Sequence, residues 1–423
     1  MVLTADYLNC SLATKLRKIY DNNIWIPEVI SAKMVSNWDK AGIVFLFIFS
    51  AADLFSISIA QCAAAGLVVC WVCKWIQTKH RPGIPSIWWT FVAFIVASLT
   101  SAVLSLDPIE SLKDSNDLAH IAIFFAAYDI LWRNRTLSGK VLRLIAVVGT
   151  VISIVGFAQI LQRGIDIYNR ISGFNDMYMT YAGLLMIVII SALAIILFSF
   201  KKWSDSWLPF AVLIMGVALL LSLTRSAWVG LFIGCSILIA LRKPFAIIII
   251  PVVVAIGLAA SPDKIRDRAF SMFDKNQKSN KERIYLWGAG LKIIKDYPIF
   301  GVGQNSFPIV YPKYRHPDVK EPTISHLHNN FLEIAAERGL VGLFCWSLVW
   351  ASALWVMLRS WTIAKINDRE RIMALGASIA STISFLVAGF FEYNFGDSEV
   401  QMLLYLLIAI GLASARDDKI DQT

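Results

Sequence analysis

Twelve apolar runs, each long enough or nearly long enough to cross a bilayer, follow one another along this chain and leave it few possible folds. They lie near 41–55, 57–76, 88–105, 117–132, 141–161, 177–200, 206–223, 226–242, 244–261, 339–358, 372–391 and 400–415. Hydrocarbon offers the backbone no hydrogen-bond partners, so repeated apolar runs of this length predict helices that satisfy themselves. The expected fold is therefore an all-α polytopic membrane protein with about twelve transmembrane helices. The first two runs are separated only by Asp53 and its neighbours, and Arg242, Lys243 and Pro244 alone join the eighth and ninth. Composition agrees. Charged residues make up 16% of the chain and apolar types 57%, where a soluble domain carries about a quarter charged. The net charge of +9 would suit nucleic acid. Its distribution argues otherwise, because the basic residues sit in the gaps between apolar runs.

Those gaps also predict an orientation. With the N-terminus in the cytoplasm, the inside segments hold 22 Lys and Arg, and the short outside loops hold only Lys113, Arg163, Arg170 and Arg225. This is the asymmetry of the positive-inside rule. It places both termini in the cytoplasm and residues 262–338 outside. The expected organisation is one integrated membrane domain: a bundle of about nine spans over 1–261, a large loop over 262–338, and about three spans over 339–423. Acids gather outside too, with Asp107, Glu110, Asp114 and Asp117 after the third span and Glu392 and Asp397 after the eleventh. Cys70 and Cys73 form a CxxC inside an apolar run with no second pair or partnering His, so they read as structural. The polar N-terminus carries no pattern of a cleavable signal peptide. No soluble domain or internal repeat is evident.

The longest polar interruption, Asn280 to Gly342, holds His316, His326 and His328, three of the five histidines. Helical spacing is expected over Glu282–Lys295, ended by Pro298, with a turn at Gly301 and Gly303. A second helix is expected from near His326 to Arg338, broken by Gly339. A neutral imidazole takes a proton near neutral pH, which makes His328 a candidate general base, although a surface histidine is the commoner role. The segment His326-Leu327-His328 offers two choices. A zinc site is disfavoured, because i and i+2 do not share a helical face and no third ligand is apparent. Arg225 lies in a very short turn between two spans, where a guanidinium can hold phosphate in bidentate fashion. Arg283 and, more weakly, Arg170 add cations on the same side. No Walker loop, GxGxxG fingerprint or DxD pair is present. A reaction outside the cytoplasm, where ATP is absent, needs a substrate that is already activated.

TRSAWVG, RIYLWGAGLKIIKDYPIFGVGQNSF and HLHNNFLEIAAERGLVG together resemble the O-antigen ligase and polymerase superfamily of bacterial inner-membrane glycosyltransferases. The ligase pattern is His, then Asn, Ser or Gln, nine residues, Gly, two residues, Gly. It reads here as His328, Asn329, residues 330–338, Gly339, Leu340, Val341 and Gly342, and it selects His328 over His326. The resemblance implies a GT-C-like fold with one large periplasmic loop. It also implies transfer of a glycan from undecaprenyl pyrophosphate to an acceptor, for the ligase a sugar hydroxyl of lipid A–core. No nucleotide, metal or other cofactor is implied. The family's functional residues map to Arg225, Arg283 and His328, with a late acidic residue that Glu392 or Asp397 could supply. Arg170, His326 and Asn329 are further candidates for substrate binding.

Pyrophosphate is a good leaving group with concentrated charge, and arginines can stabilise it in place of a metal. Nearby guanidinium groups would keep His328 neutral and able to deprotonate the acceptor hydroxyl. Direct attack would invert the anomeric centre. The rival readings are an O-antigen or exopolysaccharide polymerase with a lipid-linked acceptor, a protein O-oligosaccharyltransferase, and a transporter. The last is disfavoured because the spans carry few interior charges, His120 being one exception.

Overall fold

The computed structural model describes residues 36–78, 82–164, 170–274, 276–319, 323–364 and 368–415. Cys10, Lys15, Arg17, Lys18, Lys33, Lys79, Arg81, Lys365, Arg416 and Lys419 lie outside them. The described residues form sixteen α-helices, two 3₁₀ turns and no strand. The first eight are α1 (Asn37–Ala52), α2 (Ile57–Thr78), α3 (Trp88–Val103), α4 (Pro108–Asp114), α5 (Ile121–Arg133), α6 (Thr136–Arg163), α7 (Tyr178–Phe198) and α8 (Leu208–Leu221). Then come α9 (Arg225–Arg242), α10 (Ile249–Ala260), α11 (Asp263–Phe270), α12 (Lys278–Asp296), α13 (Phe307–Tyr314), α14 (Asn330–Ile363), α15 (Arg369–Ala388) and α16 (Ser398–Ala415).

Each of the twelve apolar runs falls on a helix. Among the described residues, seven helices are long and apolar enough to cross a membrane: α2, α6, α7, α9, α14, α15 and α16. The others that carry apolar runs are shorter. α3 and α8 have 16 and 14 residues, and the run over 244–261 divides into a 3₁₀ turn and the 12-residue α10. Asp53 does separate the first two runs, as the residue that ends α1.

α7, α15 and α16 form the centre of the bundle, with most of their side chains buried. Such helices are apolar all round because they meet protein on every side. α15 packs against α7, α9 and α16; α16 also packs on α5, and α3 on α14. The peripheral helices instead leave large apolar side chains outside, among them Val96, Phe210, Leu213, Phe344 and Trp355. An exposed apolar surface of this extent suits lipid.

α12, α13 and the loops around them build a second apolar cluster from Leu286, Ala289, Ile293, Val302, Phe307, Val310, Tyr311, Leu327 and Ala336. A kink in α14 attaches this cluster to the bundle. Gly339 has φ 68° and ψ −179° inside the helix, a left-handed φ that a side chain disfavours. The kink frees backbone groups that an unbroken helix would use. Leu340 N–H donates to Pro298 O (2.8 Å), Val302 N–H to Ala336 O (2.9 Å) and Gly303 N–H to Glu337 O (2.9 Å). Gly301 (φ 72°) lies against the Glu337 backbone where a Cβ would collide. The glycines of the PIFGVG and GLVG motifs are thus two halves of one backbone joint. Helix α12 runs longer than Glu282–Lys295, from Lys278 to Asp296. The helix expected from His326 begins only at Asn330, because Asn329 caps it.

Candidate active site

The cap explains how the two histidines are presented. The Asn329 side-chain oxygen accepts the N–H groups of Phe331 (2.9 Å) and Leu332 (3.0 Å), the usual service of an N-cap asparagine. Residues 326–328 therefore precede the helix. Leu327 is fully buried in the second apolar cluster. Its N–H donates to the Glu333 carboxylate at 2.5 Å, and its carbonyl accepts the Trp287 indole N–H at 3.1 Å. His326 and His328 flank this peg, with ring centroids 4.3 Å apart. The expectation that i and i+2 cannot meet assumed a helix and is corrected here. His328 has φ 50°, a left-handed conformation for a non-glycine residue. Backbone strain of this kind persists where surrounding structure enforces it.

The loop between α15 and α16 supplies the acid. Asn330 N–H donates to Gly389 O at 2.7 Å, Asn329 Nδ2 to Phe390 O at 2.9 Å, and Asn330 Nδ2 to Asn394 Oδ1 at 2.6 Å. Both asparagines are thus occupied in holding residues 389–395 against the histidines. The amide of Asn329 is engaged at both ends within the protein. Glu392 then lies 2.8 Å through Oε1 from His328 Nδ1 and 3.3 Å through Oε2 from Arg283 Nη2. Burial alone would raise the Glu392 carboxyl. The hydrogen bond from His328 and the charges of His328 and Arg283 outweigh burial and hold it below its ordinary range. Glu392 is therefore an anion that orients the imidazole. A proton on His328 Nδ1 leaves the lone pair on Nε2, the atom a general base needs.

The Asp397 carboxyl is pushed up to about 7 by burial, then by the charges of Glu392 and Glu399. Of the two candidate late acids, only Glu392 bonds His328.

Further arginines lie near Arg283. Arg225, at the first turn of α9, donates to Ser271 O (3.1 Å), Ser279 Oγ (2.9 Å) and Asn280 Oδ1 (2.8 Å). The charges of Arg268, Arg283 and Arg170 all act on it. Arg170 stacks on the Tyr178 ring, 4.3 Å from its centroid. Arg268 was not singled out from the sequence, where it is one cation in the charged stretch of α11. It is held by an Nε–H bond to Leu223 O at 3.2 Å. Burial, then the charges of Arg170 and Arg283, lower its guanidinium to about 10, so it remains charged near neutrality. A cavity of about 380 Å³ opens beside this group. Arg225, Asn280 and Arg283 line its polar side, and Met272, Phe273, Ile284, Trp287 and Phe391 its apolar side. Such a cavity suits a concentrated anion attached to a hydrocarbon.

His326, His328 and Glu392 offer three donor atoms within 4.8 Å of one another, so the third ligand not apparent in the sequence exists. Each already has a partner, however. His328 and Glu392 bond each other, Glu392 also pairs with Arg283, and His326 Nδ1 accepts the His328 N–H at 3.3 Å. A bound cation would displace these contacts and face the arginine cluster.

Comparisons with known proteins agree with the motifs. A family model described as O-antigen ligase matches residues 210–347, which include Arg225, Arg268, Arg283 and His328. An uncharacterised protein of Haemophilus influenzae is 25% identical over 223 residues, 47% of this chain and 55% of that protein. An exopolysaccharide production protein, ExoQ, of Rhizobium meliloti is 26% identical over 163 residues, 36% of this chain and 37% of that protein. The matched stretch thus spans about half or less of each relative. The chain resembles the O-antigen ligase and polymerase superfamily in this independently matched central region as well as in its motifs.

Proposed function

We propose that this chain is a glycosyltransferase of the O-antigen ligase type. It moves a glycan from undecaprenyl pyrophosphate to a sugar hydroxyl of lipid A–core at the periplasmic face of the bacterial inner membrane. About twelve crossings, with both termini cytoplasmic and the 262–338 region periplasmic, are part of the same reading. The observation that carries it is the position of the His328–Glu392 pair one residue, Arg283, away from an arginine-lined cavity with an apolar wall.

The chemistry follows from that arrangement. Arg225, Arg283 and Arg268 receive the pyrophosphate, whose charge grows as the glycosidic bond breaks. The apolar wall takes the first part of the prenyl chain. His328 Nε2 removes the proton from the acceptor hydroxyl, and Glu392 stabilises the imidazolium that forms. The acceptor oxygen bonds to the anomeric carbon as the bond to pyrophosphate breaks, inverting that centre. Neither nucleotide nor metal takes part.

The ExoQ relative favours one second reading, an exopolysaccharide or O-antigen polymerase that offers a lipid-linked glycan as acceptor. A lipopolysaccharide gel from a strain lacking the protein separates the two. Core alone, with lipid-linked polymer accumulating, is the ligase result. Core bearing a single repeat is the polymerase result. An unchanged ladder contradicts both lipopolysaccharide readings and moves the acceptor to exopolysaccharide or glycoprotein.

A further inference from the structure

The His-Leu-His segment places two imidazoles side by side, and their hydrogen bonds set them in opposite senses. His328 Nδ1 meets the Glu392 anion at 2.8 Å, so Nδ1 carries the proton and Nε2 the lone pair. His326 Nδ1 faces the backbone N–H of His328 at 3.3 Å, so Nδ1 must accept and the proton lies on Nε2. One ring thus offers an acceptor at its outer nitrogen and the other a donor. The rings cross at 72° with centroids 4.3 Å apart, and Leu327, buried between them, fixes both backbones.

We propose that His326 is a second acceptor-binding residue, donating from Nε2 to the hydroxyl next to the one that His328 deprotonates. This rests on the reading of His328 as the base, and adds to it a specificity for a pair of adjacent hydroxyls on the acceptor sugar. A sugar hydroxyl that attacks must give up its proton, and its neighbour must keep its own, so one acceptor and one donor suit a vicinal pair. His326 remains neutral as this requires. Burial first, then the charges of His328 and Arg283, hold its imidazole down to about 4 against the opposing pull of Glu392. Tyr393 also packs against His326, with ring centroids 5.7 Å apart. No proton leaves His326 in the reaction.

Two measurements test the assignment. The first is two-bond ¹⁵N–¹H correlation NMR on the full chain in phospholipid nanodiscs, labelled at its five histidines and assigned with His326→Gln and His328→Gln. His326 is expected to be neutral with its proton on Nε2, and His328, when neutral, to carry its proton on Nδ1. A proton on His326 Nδ1, or a charged His326 at neutral pH, overturns the proposal while leaving the base assignment standing. The second is glycan transfer in membranes at matched protein levels. The amide of Gln reaches the Nε2 position and that of Asn the Nδ1 position. His326→Gln should stay within roughly threefold of wild type, and His326→Asn and His326→Phe should lose about tenfold, the scale of one hydrogen bond. A purely structural role, accepting the His328 N–H, would be rescued by Asn instead. That result, equal loss in Gln and Asn, or full activity in Phe, overturns the donor role. If His328→Ala keeps transfer, the parent reading fails, and the tautomer of His326 is still read directly by NMR.

Discussion

His328 and Glu392 lie 64 positions apart in the chain and share a hydrogen bond of 2.8 Å between Nδ1 and Oε1. The pair joins the loop before α14 to the loop after α15, and two asparagines beside it hold those loops together. Replacing Glu392 by Gln keeps the shape and removes the charge that stabilises the imidazolium. Transfer should fall at least tenfold, as for an orienting acid in a base–acid pair. Membrane transfer assays at equal protein levels check this. Near-normal transfer by Glu392→Gln would separate Glu392 from the chemistry.

Arg225 has a structural task as well as a proposed binding one. Its guanidinium bonds Ser271, Ser279 and Asn280, which lie on either side of residue 275. Lysine keeps the charge but is a single point donor on a flexible stem. Arg225→Lys should therefore lose most transfer. Arg268→Lys, with one backbone bond to replace, should lose less. Apparent affinity for the lipid-linked donor is the readout, and equal effects of the two changes would contradict this ranking.

Gly339 stands away from the histidines but controls the joint that carries them. Its φ of 68° and the approach of Ile299 O leave no room for a Cβ. Gly339→Ala should destabilise the protein by about 1–3 kcal/mol, the scale of left-handed backbone strain. A fall in thermal stability in detergent, together with lower transfer, is expected. Unchanged melting with full activity would show that the joint tolerates a straight helix.

Asp397 gives a pH dependence with a definite sign. Burial first, and the charges of Glu392 and Glu399 next, raise its carboxyl from the ordinary aspartate range to about 7. The folded state thus disfavours the ionised form. Its contribution to stability is fully present below the unfolded pKa and is lost as pH rises through about 7. Asp397→Asn should flatten the decline between these limits and make the protein more stable than wild type above neutrality. Thermal melts across pH check this, and a steeper decline in the variant would contradict it.

Much of this was legible in the chain. The apolar runs all lie on helices, since period and length are local properties. His328, Arg225 and Arg283 were marked by charge and position, because a polar residue in an apolar protein is conspicuous. The helix start at Asn330 was displaced by four residues, as Asn329 competes with the histidines for the cap. Arg268 was hidden among ordinary charges, and its proposed role rests on the nearness of Arg170 and Arg283. The partner of His328 was ambiguous for a similar reason. Glu392 and Asp397 are both acids of one short loop, and only the asparagine bonds from Asn329 and Asn330 decide which of them meets the ring.

The most direct measurement is transfer of a glycan from its undecaprenyl-pyrophosphate carrier by the purified chain in nanodiscs, comparing wild type with His328→Ala at saturating donor. The expected result is transfer by wild type and a loss of roughly 10²–10⁴-fold in the variant, the usual contribution of a general base, with donor affinity retained through the arginines. Transfer by His328→Ala within a few-fold of wild type would contradict the account, because no base would then be needed at Nε2.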